Sequence, residues 1–182
     1  MRTFLSILVL CASALAFSVC ASGQEAPKLK LGDPIPSVAV KDQDGALVNL
    51  AEESKSGYML VFFYPRALTR GCTAQACSLR DAYEELKAKG VKVFGASTDA
   101  PEKQKEFITV NNLPYRLLAD TDKKVIEAFG VPLMNLGNDS AASRQAYLFK
   151  DGKLVWMDPK ASTTKQAEDV LNTIANLAQT AQ

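Results

Sequence analysis

Two cysteines, Cys72 and Cys77, carry the chemistry that this chain can do. Cys72 follows Gly71, shortly after a run of strand-like apolar residues from Tyr58 to Phe63, and stands where a helix should begin. The first amides of a helix have no intrahelical partner, and the positive end of the helix favours an anion. Such places promote the thiolate, the form of cysteine that attacks electrophiles. Cys77 lies five residues further on. Read alone it is equally a small buried hydrophobe, because Ala76 and Leu79 beside it suit a core face. Five helical residues rise about 7.5 Å and turn about 140°, which sets the two Cα atoms about 8–9 Å apart. A disulfide requires about 4.4–6.8 Å. Joining Cys72 to Cys77 therefore predicts that the first turns of the helix unwind on oxidation.

The chain has no histidine. That excludes Cys-His and Ser-His-Asp catalysis, an imidazole general base and histidine-bearing zinc sites. Activation of a thiol must come from arginine, lysine or backbone dipoles. Arg66 and Arg70 shortly precede Cys72, and Arg144 precedes an apolar run. Read alone, Arg144 is a solvated loop-end arginine, Thr69 is a helix cap, and the three arginines cannot be ranked.

The elements that must hold these residues follow from pattern. Tyr58 to Tyr64 is a continuous apolar run, as in a central strand buried on both faces. The segment from Cys72 to Lys89 reads as one helix, with Leu79, Tyr83 and Leu86 at helical spacing and Gly90 as its stop. Val91 to Ala96 and Tyr115 to Leu118 read as strands. A helix from Pro101 to Asn111 lies between them, capped by Ser97-Thr98-Asp99. Asp122 to Phe129 is a short helix ended by Gly130. Met134 to Ser143 reads as a loop. Gln145 to Phe149 and Lys153 to Met157 form a hairpin, and Thr164 to Ala178 is a helix with Val170, Leu171, Ile174 and Leu177 inward. Upstream, Ile35 to Val40 and Ala46 to Leu50 flank Asp42-Gln43-Asp44-Gly45, a hairpin signal. The alternation of strands and helices predicts a single α/β layered domain over residues 31–182.

Composition agrees with one globular domain: 182 residues, 47% hydrophobic and 23% charged, leave no case for disorder. The 21 basic and 20 acidic residues give a net charge of +1, which offers no attraction for nucleic acid or an anionic membrane. The N-terminus reads as a cleaved export signal over residues 1–23. Arg2 starts it, Phe4 to Phe17 is uncharged and mostly apolar, and Ala21, Ser22 and Gly23 supply small residues for cleavage after Ala21 or Gly23. A membrane anchor is the competing reading, but the run is short and broken by polar residues. A lipid-modified Cys20 is a lesser one, since Val19 is bulky for that position. Residues 24–30 read as an exposed leader. Cleavage leaves a protein of the periplasm with no stable membrane insertion. It would keep only Cys72 and Cys77, in a compartment where disulfides persist.

The stretch from Pro65 to Cys77 resembles the active-site segment of peroxiredoxins, Pro-x-x-x-Thr/Ser-x-x-Cys, with Pro65, Thr69 and Cys72 in the matching places. Cys77, five after Cys72, resembles the Q-type or bacterioferritin-comigratory-protein branch of the alkyl hydroperoxide reductase/thiol-specific antioxidant family. The likeness continues through Ser97-Thr98-Asp99, Leu113-Pro114, Leu117 to Asp122 and Phe129-Gly130-Val131. It implies a thioredoxin-like fold, a central mixed sheet flanked by helices with an N-terminal β-hairpin extension. It implies a thiol peroxidase acting on hydrogen peroxide and organic hydroperoxides, with no metal, haem or flavin. Cys72 would be the peroxidatic cysteine and Cys77 the resolving one, joined in an intramolecular disulfide that a thioredoxin-like protein reduces. Thr69 would bond the peroxide and thiolate, Pro65 would shield the sulfur from water, and Arg144 would be the family's arginine beside it. A monomer or weak homodimer is expected. Leu68 and Arg70 stand where the family often has Asn and Pro, and Ala146 where it often has Thr.

Three other readings compete, the blandest being a non-catalytic redox domain that has lost activity, against which intact Pro65, Thr69, Cys72 and Arg144 argue. An exported thioredoxin-like thiol–disulfide oxidoreductase acting on protein disulfides would share the fold, but usually carries Cys-x-x-Cys. An exported copper-binding assembly factor would use the two thiolates but needs a third ligand, commonly histidine.

Overall fold

A computed structural model describes residues 29–180, so the export signal and nearly all of the leader lie outside the described residues. Numbered along the chain, β1 (Ala39–Lys41) and β2 (Leu47–Asn49) form a hairpin, followed by α1 (Leu50–Glu53) and β3 (Tyr58–Phe63). Next come α2 (Arg70–Asp81), α3 (Tyr83–Ala88), β4 (Val91–Ser97), α4 (Pro101–Asn111) and β5 (Arg116–Ala119). The chain closes with α5 (Lys124–Phe129), β6 (Leu133–Leu136), β7 (Asp139–Ala142), β8 (Gln145–Lys150), β9 (Lys153–Asp158) and α6 (Gln166–Thr180).

The main sheet has the order β5-β4-β3-β8-β9. β3, β4 and β5 run parallel, while β8 is antiparallel to both β3 and β9. The sheet is thus mixed, and β3 lies at its centre. Its side chains alternate between two cores, which is why its sequence is apolar without a break. Leu60 and Phe62 meet Leu79, Phe107, Val170 and Ile174 of the helices on one face. Met59, Val61 and Phe63 meet Val40, Val48, Ile126 and Phe129 on the other, where the N-terminal hairpin and α5 pack. Gly95 of β4 leaves room for the side chains of its neighbours on β3 and β5, because a Cβ there would stand 2.6 Å from Leu117 and 2.7 Å from the Phe62 ring.

Four expectations change, the first being the cap of α4, whose N-cap is Ala100 with no side-chain bond, while Asp99 bonds Ser97 and the Ala67 amide instead. The helix read as continuous from Cys72 to Lys89 is two helices, beginning at Arg70 and broken at Ala82 (φ −99°, ψ 11°). No Gly or Pro marks that break. The contacts on either side of it are tertiary: Arg80 bonds the carbonyl of Asn111 at 2.8 Å, and the Tyr83 ring packs 6.0 Å from that of Tyr115. The loop from Met134 to Ser143 is the β6–β7 hairpin, turning on Gly137 at φ 72°. Gly137-Asn138 between paired strands is a two-residue hairpin turn in which glycine supplies the positive φ. Leu29, read as exposed leader, is buried against the hairpin-side core. Among the described residues no helix is long and apolar enough to cross a membrane.

Candidate active site

β3 delivers the chain to the site. Tyr64 follows its last residue, residues 65–69 form a loop, and α2 begins at Arg70. The loop is fixed by polar ties. The Ala67 amide donates to Asp99 Oδ2 at 2.8 Å, and Ser97 Oγ donates to the same oxygen at 2.7 Å. Gln104 Nε2 donates to Ser97 Oγ at 2.8 Å, and the Tyr64 hydroxyl donates to Gln104 Oε1. Burial holds the Tyr64 phenol far above its ordinary ionisation range, so it keeps the proton that it donates to Gln104. Leu68 takes φ 62°, a left-handed conformation that asparagine tolerates better than leucine.

Cys72 is the third residue of α2 and only 1% exposed. Arg144 Nη2 lies 3.4 Å from its Sγ, across 72 residues of sequence. Strand register makes this meeting: Phe63 at the end of β3 pairs with Gln145 at the start of β8, so Arg144 is set beside the loop that leaves β3. A guanidinium so close to sulfur, in a site shielded from water, favours negative charge there and on an oxygen leaving it. The other two arginines fall into rank. Arg66 is exposed and donates to Asp139 Oδ2 at 2.9 Å, tying the loop to the β6–β7 hairpin, and Arg70 is exposed.

Thr69 occupies the N-cap of α2 but its side chain makes no capping bond; the hydroxyl donates to the Arg66 carbonyl at 2.9 Å. Pro65 is half-buried at the start of the loop. Cys77 is half-buried on the same helix as Cys72, with its Sγ 3.8 Å from Asn111 Oδ1. Both thiols are free. With Cys72 and Cys77 on one continuous helix, their Cα atoms are about 8–9 Å apart, beyond disulfide reach.

Sequence reasoning missed the amides beneath the site. Gln75, fully buried, accepts from Arg144 Nη1 through Oε1 and donates through Nε2 to Gln166 Oε1 at 2.8 Å. The signal was present: Gln75 is a polar residue on the apolar stripe of Cys72, Ala76 and Leu79. Among the described residues no group of three or more His, Cys, Asp or Glu could hold a metal ion. The arrangement is a buried thiol, a cation on its sulfur and a second thiol on a helix that must open to reach it.

The sequence pattern of the AhpC/TSA family matches residues 31–157. Peroxiredoxin Bcp of Escherichia coli (strain K12) is 41% identical over 148 residues, covering 79% of this chain and 94% of that one. The chloroplastic Peroxiredoxin Q of Gentiana triflora is 41% identical over 121 residues, covering 66% of this chain and 54% of that one. Among solved structures, Peroxidoxin BcpB of Mycobacterium tuberculosis superposes with a TM-score of 0.74 at 30% identity, covering 81% of this chain and 97% of that one. The bacterioferritin comigratory protein of Xanthomonas campestris superposes at 0.73 with 20% identity, covering 84% of this chain and 99% of that one, a likeness of fold.

Proposed function

This chain belongs to the AhpC/TSA family as a thiol peroxidase with the thioredoxin-like fold of Bcp/PrxQ peroxiredoxins, and from that premise we propose that Cys72 reduces the peroxide and Cys77 resolves the product. The observation that carries the assignment is Arg144 Nη2 at 3.4 Å from the sulfur of the thiol at the helix start. The Cys72 thiolate attacks the nearer oxygen of the peroxide. The O–O bond breaks, an S–O bond forms, and the leaving alkoxide or hydroxide takes a proton to become alcohol or water. Cys72 is then a sulfenic acid. Arg144 steadies charge on sulfur and on the departing oxygen. The hydroxyl of Thr69, which now bonds the Arg66 carbonyl, turns to the bound peroxide, and Pro65 keeps water from the sulfur.

Resolution follows when α2 opens. The Cys77 sulfur attacks the Cys72 sulfur, the sulfenic oxygen leaves as water, and a disulfide remains. A thioredoxin-like dithiol reduces it by exchange. Substrates are hydrogen peroxide and organic hydroperoxides; alkyl peroxide reduction is the activity ascribed to the Xanthomonas campestris protein. The depth of Cys72 favours a small peroxide over the competing protein-disulfide substrate, which would have to present its sulfur in line with a buried thiol. The protein acts as a monomer or weak homodimer after export and cleavage behind Ala21 or Gly23, which the N-terminal sequence of the secreted form tests.

Stopped-flow oxidation of the reduced domain, followed by intact mass, tests the mechanism. Cys72→Ser should abolish peroxide consumption. Cys77→Ser should keep the first oxidation and lose donor-supported turnover; full turnover in that variant rejects the resolving role.

A further inference from the structure

We propose that Gln166, on the C-terminal helix, is a positioning residue for the reactive thiol. It acts by fixing the sense of the Gln75 amide and so the place of Arg144. The inference rests on the roles given above to Cys72 and Arg144. A guanidinium has donors only. Arg144 spends Nη2 on Cys72 Sγ at 3.4 Å and Nη1 on Gln75 Oε1. Gln75 must therefore turn its oxygen to the arginine and its NH2 away, and that NH2 meets Gln166 Oε1 at 2.8 Å.

Gln166 is fully buried in the first turn of α6, while its own Nε2 has no partner among the described residues. An unpaired buried donor is costly, and an apolar side chain of the same shape would avoid it. The half of this amide that the molecule uses is its acceptor. α6 is held there by its next residue, whose Ala167 amide donates to Ser78 Oγ of α2 at 3.3 Å. Without the acceptor the Gln75 amide is free to flip. Flipped, it sets NH2 against the guanidinium, donor against donor, and Arg144 leaves the sulfur.

The test is a double-mutant cycle on the second-order rate of Cys72 oxidation, using Gln166→Met, Arg144→Met and the double variant, with thermal unfolding as a check on folding. Gln166→Met should slow oxidation about fivefold, the worth of one neutral hydrogen bond. In the Arg144→Met background it should slow oxidation no further. Gln166→Glu keeps an acceptor oxygen in either protonation state and should recover most of the lost rate. Equal losses in both backgrounds would mean a merely structural role and overturn the inference. So would an unchanged rate in Gln166→Met when Arg144→Met is slow. If Arg144→Met itself reacts at the normal rate, the role of Arg144 falls, and this inference falls with it.

Discussion

If opening of α2 gates resolution by Cys77, as proposed, Tyr115→Phe isolates that step. The Tyr115 hydroxyl donates to the Ala76 carbonyl at 2.7 Å, one residue before Cys77. Burial pushes its phenol well above the ordinary value, so it remains a donor at any assay pH. The ring packs 5.9 Å from Phe62 and 6.0 Å from Tyr83, and phenylalanine keeps both contacts. Only the hydrogen bond is lost, about 1 kcal/mol. The loss falls on the closed helix alone, since in the unwound segment the Ala76 carbonyl is bonded to water. The open population then rises about fivefold. If opening equilibrates faster than the sulfurs react, disulfide formation quickens by the same factor, while the peroxide step keeps its rate. Rapid quench with a sulfenic-acid trap and intact mass separates the two steps. An unchanged or slower resolution, in a variant whose reduced form is less stable by about 1 kcal/mol, would refute unwinding of α2 as the gate.

Two further outcomes follow from the same geometry. A Cβ on Gly71 would stand 3.3 Å from Arg144 Nη2 and 3.7 Å from Thr163 Cγ2. Gly71→Ala should slow Cys72 oxidation several-fold while helix propensity raises stability by up to about 1 kcal/mol, read by peroxide kinetics beside urea unfolding. Burial raises the Asp120 carboxyl above its ordinary value of 3.8, against the lowering effect of bonds from the Val125 and Ile126 amides. A carboxyl raised on folding contributes its full stability below the unfolded value and loses it as pH climbs through the folded one. Wild type should therefore lose urea stability relative to Asp120→Asn across that window, and parallel midpoints would show that Asp120 does not titrate there.

Much of this could be read along the chain because it is written in local pattern. The unbroken apolar run of β3 follows from burial on both faces. The helix at Cys72, the β8–β9 hairpin and the short helix ended by Gly130 follow from periodicity and turn chemistry. The break at Ala82 could not be read, because no residue there opposes helix and the surrounding contacts come from Asn111 and Tyr115. The β6–β7 hairpin was missed although its Gly-Asn turn was legible, because β6 is exposed throughout and β7 runs from an exposed Asp139 to two buried alanines, so neither strand shows an alternating apolar face.

The sequence by itself determined the candidate reacting atoms. It put one thiol at a helix start and another five residues on, and it left out histidine, so that activation must come from a cation or from the backbone. Helical geometry alone then required the helix to open before the two sulfurs can join. Which cation serves was a question of three dimensions. Arg66 and Arg70 are near Cys72 in sequence, yet Arg144 holds the sulfur, because the register of β3 on β8 closes a gap of 72 residues. The amides behind it, Gln75 and Gln166, meet across 91 residues only when α6 packs on α2. Local sequence encodes elements through periodicity and caps; partners distant in sequence are chosen by how those elements pack, and that choice exists only in the folded chain.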